Sequence, residues 1–355
     1  MTPITTQDYT ISFNEQGYLS LNNHLKNTNY SKVFILCDTN TKIDCVPVFL
    51  ANIETDFTHD ILEIEPGEES KNIDICLGLW EALSEHGADR KSVIINIGGG
   101  VVTDLGGFVA STFKRGIDFI NIPTSLLAMV DASIGGKTGI DLGSLKNQIG
   151  VINTPELIVV DTAFLETLPQ LEMRSGLAEM LKHGLIHDVK YWNKLKDLSQ
   201  STIEDLDQLI YESIIIKKDI VAKDPTEQGL RKTLNYGHTL GHAIESYFMD
   251  NDGKQRLLHG EAVAIGIILA NYLSVKYCDF SEEKNEAIKH IIKTIYGHVE
   301  LLETDYAPII ELLKYDKKNE HGNINFVLLE AIGKAKTNCI VDNETIIEAF
   351  KFYNL

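Results

Sequence analysis

Residues 92–107, Ser-Val-Ile-Ile-Asn-Ile-Gly-Gly-Gly-Val-Val-Thr-Asp-Leu-Gly-Gly, set an apolar β-prone run directly against three glycines and a helical stretch. A short continuous apolar run closed by glycine reads as a strand buried on both faces, the kind found in parallel sheets. Neighbouring signals agree. Val33–Cys37 is a second β-prone run, ending in Asp38-Thr39-Asn40, and Ile73–His86 has helical spacing. Phe119–Ile122 is a short strand ended by Pro123, and Leu157–Val160 is another, ended by Asp161. Strand, glycine turn, helix, strand predicts an N-terminal α/β domain on a Rossmann-like parallel sheet. Ligands of such sheets bind beyond the carboxyl ends of the strands, where Asp38, Gly98–Gly100, Thr124 and Asp161 all fall.

From about residue 170 strand signals thin out. Glu204–Lys223, Thr239–Phe248, Gly260–Tyr277 and Ser281–Thr294 have helical character, and only Asn325–Leu329 with Ala335–Asn338 suggest a late hairpin. At 355 residues the chain exceeds the size that one core usually serves. We therefore expect two domains, 1–170 α/β and 171–355 mostly α-helical.

The formal charge of −19, from 51 acids against 32 bases, sets a field that repels nucleic acid and anionic membrane. No apolar run reads as long enough to span a bilayer, and the start, MTPITTQDYT, lacks the basic and apolar regions of a signal peptide. Five cysteines (Cys37, Cys45, Cys76, Cys278, Cys339) are odd in number and form no CxxC pair. They read as small buried residues in a reducing cytoplasm. The same negative field would repel a small anionic substrate unless cations were collected locally. Lys137, Lys146, Lys182, Lys217 and Arg231 all fall inside motif-like segments and supply that collection.

Glycine lets a ligand approach the backbone, and free N–H groups at a helix start attract phosphate, so residues 98–100 are a candidate dinucleotide site. Position 103 is Thr, so GxGxxG is not met, and a plain strand–helix turn would use the same glycines. Asp104, placed in the first helical turn, would favour the macrodipole or accept a hydrogen bond from a ribose or carboxamide. Asp131 lies in an apolar stretch where an unpaired carboxylate is costly; Lys137 or a substrate hydroxyl would relieve it. Gly135-Gly136-Lys137-Thr138 resembles the tail of a P-loop, but its first glycine would fall at Asp131, which argues against triphosphate hydrolysis. Lys146-Asn147 adds a cation and an amide, read as lying in a loop.

Three later segments carry metal-ligand chemistry. Glu179 and Lys182 share a helix face at i, i+3; His238 and His242 stand one turn apart; His259 opens a very apolar helix. One carboxylate with two imidazoles, leaving positions open, is a catalytic zinc pattern, with His183, His187 and His242 as competing ligands. A divalent cation beside a redox cofactor suits polarising a hydroxyl so that its carbon can lose a hydride.

Taken together, GGGVVTDLGGFVAS, FKRG, IPTSLLAMVDASIGGKTGID, LKNQIG, SGLAEMLKHG, LRKTLNYGHTLGHAIE and LHGEAVAIGI, with DKK near residue 317, resemble the 3-dehydroquinate synthase family of sugar phosphate cyclases. The resemblance is densest from Ile94 to Gly266. It implies an NAD-binding α/β domain followed by a helical metal- and substrate-binding domain, as a cytoplasmic homodimer. The implied reaction converts a small anionic sugar-acid phosphate, 3-deoxy-arabino-heptulosonate 7-phosphate, to 3-dehydroquinate and phosphate. It proceeds by transient oxidation, phosphate elimination, re-reduction and intramolecular aldol closure. This is a lyase step of the shikimate pathway towards chorismate and aromatic amino acids, with NAD and one divalent metal, zinc or cobalt.

Carried over by position, the resemblance implies Glu179, His238 and His259 as metal ligands. It implies NAD contacts from Asp38, Asn40, Lys71, Gly99, Gly100, Val101, Asp104, Thr124, Ser125, Lys146, Phe164, Thr167 and Leu168. Substrate-facing positions are Asp131, Lys137, Asn147, Lys182, Lys217, Glu227, Arg231, Asn235 and His242, with Arg115 reaching across a dimer and one of Lys317 and Lys318 joining them. Pro225, Leu145 and Val151-Ile152 depart from the family pattern and bear on loop shape. A sister cyclase of the inosose or valiolone type would share the metal and NAD sites, but its substrate lacks the carboxylate that Arg231 and Lys217 suit. A metal-dependent polyol phosphate dehydrogenase would accumulate NADH. A non-catalytic NAD-sensing scaffold would have a broken metal or lysine set, and none is broken here.

Overall fold

The computed structural model describes residues 1–55, 57–143, 145–196, 203–315 and 324–355. Two compact units divide the chain, Met1–Met173 and Arg174–Leu355.

In the first unit, β1 (Ile4–Thr5), β2 (Thr10–Phe13), α1 (Asn14–Thr28), β3 (Val33–Asp38), α2 (Thr39–Asp44), α3 (Val46–Ala51) and β4 (His59–Ile64) lead to α4 (Ile73–Glu85). Then follow β5 (Val93–Gly98), α5 (Gly100–Thr112), β6 (Asp118–Pro123), β7 (Lys137–Leu142), β8 (Leu145–Ile152) and β9 (Leu157–Val160). The main sheet runs β1-β2-β9-β6-β5-β3-β4, parallel throughout except for β1 against β2. From β3 the chain moves outward to β4, then returns to the other side of β3 for β5. That reversal makes a topological switch point between β3 and β5, the crevice where open α/β sheets bind ligands. Cys37 pairs with Ile97, so Asp38 and Gly98 end their strands side by side.

β5 is buried along its whole length, as a strand covered on both faces must be. It carries one polar side chain, Asn96, whose Nδ2 donates to Asn121 Oδ1 on β6 at 2.9 Å. α5 lies on the sheet with Val102, Leu105, Val109 and Ala110 buried.

Three expectations need correction. Lys146 and Asn147 belong to β8, the antiparallel partner of β7, and not to a loop. The alternation Lys-Asn-Gln is too polar to announce a strand; pairing with β7 overrides it. Asp104 lies beyond the first turn of α5, so it does not serve that helix's N-terminus, and it instead meets Lys71. The third concerns the apolar helix of the second unit, below. Lys137 opens a strand, whereas a P-loop lysine opens a helix, so the structure supports setting that motif aside.

The second unit contains α6 (Gln170–His187, from Arg174 onward), α7 (Val189–Leu195), α8 (Ile203–Lys223), α9 (His238–Met249) and α10 (His259–Cys278). α11 (Glu282–Tyr296), α12 (Glu303–Leu312), the hairpin β10 (Asn325–Ala331) and β11 (Lys334–Ile340), and α13 (Asn343–Asn354) complete it. α10 is its central rod, packed by α9, α11, α13 and β10. By length and hydropathy this 20-residue helix would suffice to cross a membrane, contrary to the sequence reading, and 67% of its apolar window is buried inside the fold. Its all-round apolarity is that of a core helix.

α9 and α10 cross with their backbones nearly touching. A Cβ at Gly266 would collide with the Gly237 carbonyl, and Gly237 itself adopts φ +78°, which favours glycine. The cysteines are all unpaired; Cys37, Cys45, Cys76 and Cys339 are buried and Cys278 is partly so.

Candidate metal and dinucleotide sites

In the second unit, the close crossing of α9 and α10 sets His238 and His242 beside His259. Their ligand-capable nitrogens all lie within 4.8 Å of one another. Glu179 on α6 is fully buried and completes the group, with Oε1 3.3 Å from His238 Nε2 and 3.5 Å from His259 Nε2. Lys182, one turn along, contacts the other carboxylate oxygen. α6 is held at this point because the Gly260 N–H donates to Ser175 Oγ at 2.9 Å, and any Cβ at Gly260 would strike the Ser175 backbone.

The outer nitrogens of the two rings show which way they face. His238 Nδ1 lies 3.1 Å from the Tyr236 carbonyl, and His259 Nδ1 lies 3.1 Å from Glu245 Oε2. With both rings neutral, an Nδ1–H donated to each acceptor leaves a lone pair on each Nε2, aimed at a carboxylate oxygen that is also an acceptor. Lys182 engages Glu179 Oε2, which leaves the fully buried Oε1 facing the two Nε2 atoms. Three acceptors converging in a buried place fit a divalent cation, and the carboxylate–imidazole–imidazole set is the chemistry of zinc or cobalt.

In the metal-free state the charges are divided unequally. Burial would raise the Glu179 pKa, but Lys182 and His238 outweigh it and hold the carboxyl well below its usual range. Burial lowers His238. Burial would also lower His259, yet Glu245 and Glu179 overcome it and push the ring up to about 10, so a cation entering here would displace a proton from this ring. Of the competing ligands, His187 is exposed, and His183 is buried with Nδ1 2.8 Å from Ser213 Oγ.

The other positions of this unit that were expected to face substrate gather on α8 and the turn after it. Lys217 is buried, and Arg231 is 1% exposed, with Nη1 2.6 Å from the Pro225 carbonyl. Asp224 accepts from the N–H groups of Gln228, Gly229 and Arg231. Pro225 therefore leaves this loop fully tied. Asn235 Nδ2 donates to Glu227 Oε1 at 2.8 Å.

In the first unit, Asp38 caps α2, accepting from Thr41 N at 2.8 Å, with Asn40 exposed beside it. Gly99 precedes α5, and the first helical bond runs from Thr103 N to Gly99 O at 3.1 Å. The N–H groups of Gly100, Val101 and Val102 thus stand at the open positive end of α5. A Cβ at Gly99 would come 3.2 Å from Ser125 Oγ, so any larger residue would crowd that end. Thr124 follows β6 and donates its N–H to Gly98 O at 3.0 Å. Phe164, buried, with Thr167 and Leu168, lies on the turn that Asp161 caps after β9.

Lys71, Asp104, Lys146 and Asn147, widely spaced in sequence, form one network. Lys71 Nζ lies 2.7 Å from Asp104 Oδ2 and 2.6 Å from Asn147 Oδ1. Lys146 lies 2.9 Å from Glu68, and the Asn147 N–H donates to Asp141 Oδ1 at 2.6 Å. Burial would lower the Lys71 pKa, but Asp104 and Glu68 keep it above its ordinary value. Burial raises Asp141 to about 6, against the pull of Lys71. Glu68 and Asp141 were not singled out in the sequence, because only the fold brings them to these lysines. Asp131 sits half-buried in a π-helical turn, a shape that recurs at functional sites. Arg115 is exposed at φ +71°, the second of three consecutive left-handed residues. Lys317 and Lys318 lie outside the described residues.

Comparison with known proteins bears on what these sites serve. A family model for the N-terminal part of 3-dehydroquinate synthase matches residues 61–175, and one for its C-terminal part matches 176–319. A 3-dehydroquinate synthase from Parabacteroides distasonis is 44% identical over 337 residues, covering 94% of each chain. Another, from Dictyoglomus thermophilum, is 41% identical over 345 residues, covering 94% of this chain and 93% of its own. Among solved structures, a 2-deoxy-scyllo-inosose synthase complexed with carbaglucose-6-phosphate, NAD⁺ and Co²⁺ superposes with a TM-score of 0.83 at 25% identity, covering 99% of both chains. A 2-epi-5-epi-valiolone synthase from Streptomyces hygroscopicus with NAD⁺ and Zn²⁺ bound has a TM-score of 0.84 at 22% identity over 99% of this chain and 98% of its own, which speaks to the fold alone.

Proposed function

Given that this chain belongs to the 3-dehydroquinate synthase family, we propose that Glu179, His238 and His259 hold a divalent cation, zinc or cobalt, and that the β3/β5 crevice takes NAD. The observation that carries this reading is the convergence of a buried, ionised Glu179 with two imidazole nitrogens whose other nitrogens are already engaged. When bound, the cation and the nicotinamide supply hydroxyl polarisation and reversible hydride acceptance for conversion of 3-deoxy-arabino-heptulosonate 7-phosphate to 3-dehydroquinate and phosphate.

The chain's own residues bind and orient. Asp38, Asn40, Lys71, Gly99, Gly100, Val101, Asp104, Thr124, Ser125, Lys146, Phe164, Thr167 and Leu168 receive the dinucleotide, its phosphates meeting the N-terminus of α5. Arg231 and Lys217 clamp the substrate carboxylate; an arginine fork suits bidentate binding. By the family pattern, Lys137, Asn147, Asn235 and His242 are phosphate-contacting residues, as is Arg115 contributed by a second copy in a homodimer. Asp131 and Lys182 hold substrate hydroxyls, Glu227 orients Asn235, and His242 carries a proton. The compartment is the cytoplasm.

Phosphate release tests this. Protein supplied with Zn²⁺ and catalytic NAD⁺ should release phosphate from the heptulosonate phosphate without accumulating NADH. No release, or release only from glucose 6-phosphate, would overturn the assignment; stoichiometric NADH would point to a dehydrogenase.

A further inference from the structure

α9 places His238, His242 and Glu245 at i, i+4 and i+7, on one helical face. The first two are accounted for above. Glu245 is not, although it is only 7% exposed and has the apolar Ala243, Ile244 and Phe248 as helical neighbours. A carboxylate in such a place needs specific compensation. Its Oε2 lies 3.1 Å from His259 Nδ1, across the α9–α10 crossing. The other nitrogen of the same ring, Nε2, is 3.5 Å from Glu179 Oε1.

We propose that Glu245 is the positioning residue for His259, fixing the ring so that Nε2 faces Glu179 and strengthening it as a metal ligand. This rests on the metal reading above. An imidazole that gives its Nδ1–H to a carboxylate is locked in one tautomer and one ring orientation, and becomes a stronger donor at Nε2. His238 receives only a backbone carbonyl, from Tyr236, for the same purpose. The two imidazoles are therefore unequal: His259 is the charge-supported ligand. Glu245 also explains how a first-turn residue of α10, whose side chain is 30% exposed, keeps a fixed orientation.

The test uses full-length Glu245→Gln and Glu245→Asp proteins. Zn²⁺ affinity is measured by chelator competition, and the visible absorption of the Co²⁺-loaded proteins reports ligand geometry. Glu245→Gln should bind Zn²⁺ about 10–100-fold more weakly and shift the Co²⁺ bands, with Glu245→Asp recovering part of both. A residue that merely tied α9 to α10 would alter melting without moving the Co²⁺ bands. Affinity within twofold of wild type and unchanged bands in Glu245→Gln would overturn the proposal. Failure of the wild-type protein to bind one equivalent of either metal would overturn the underlying metal reading, and the proposal with it.

Discussion

Nε2 of His238 faces Oε1 of Glu179 at 3.3 Å, and its own Nδ1 is turned to the Tyr236 carbonyl. With the ring neutral and its Nδ1–H given to that carbonyl, two acceptors oppose each other in a buried place, an arrangement that a divalent cation would relieve.

Removing one acceptor should therefore remove the cation. Glu179→Gln and His259→Ala should each weaken Zn²⁺ binding at least about 100-fold and abolish turnover. Glu179→Gln should also destabilise the metal-free protein by roughly 3 kcal/mol, because the buried Lys182 loses an ion-pair partner. Chelator competition and urea denaturation measure the two effects, and full activity in either variant would show that the ligands lie elsewhere.

Backbone contact between α9 and α10 should be as important as the ligands. Gly266→Ala introduces a methyl group where the Gly237 carbonyl stands, and should cost about 1–3 kcal/mol or more by overpacking. Spreading the helices separates His238 from His259, so Zn²⁺ affinity should drop in step. Native-like affinity with lowered stability would disconnect the crossing from the site.

A pH effect follows from Asp141. Its folded pKa, raised by burial to about 6, exceeds the ordinary carboxyl value. Below that ordinary value both states are protonated and the group is neutral in effect. As pH rises from about 4 to about 6 the unfolded carboxyl ionises first, so wild-type stability falls relative to Asp141→Asn. The gap between the two should widen by about 1–3 kcal/mol over that window and then level off. Asparagine keeps the oxygen that accepts the Asn147 N–H. Parallel stability curves from pH 4 to pH 7 would refute this.

Arg231→Lys keeps the charge but removes the planar fork. Steady-state kinetics should show about a tenfold or greater rise in KM for the sugar-acid phosphate, with Zn²⁺ affinity unchanged. Equal KM values would remove Arg231 from carboxylate recognition.

The sheet was legible where burial on two faces makes a strand continuously apolar, as in Val33–Asp38 and Val93–Gly98. Asp38, Gly98, Thr124 and Asp161 stand at strand ends as their neighbours suggested, since strand termini are set by local turn chemistry. Lys146 and Asn147 were misread because β8 is mostly exposed and owes its form to pairing with β7. Asp104 was likewise given to the helix end, though its partner, Lys71, lies 33 residues away. In the candidate metal site, Glu179, His238, His242 and His259 were visible as residue types in glycine-rich surroundings. Glu245 was not, because its importance comes from a ring on another helix. The sequence does hold one overlooked clue, a carboxylate seven residues after His238 on the same face as His242.

That spacing also bears on motion. His238, His242 and Glu245 are mounted on a single rod of two turns, so bending elsewhere in the molecule carries them as a block. Sliding of α10 along α9 is the displacement they cannot absorb. With Gly237 and Gly266 in backbone contact, such sliding is resisted at the point where it would do most harm. The cluster should accordingly keep its dimensions when the rest of the unit bends.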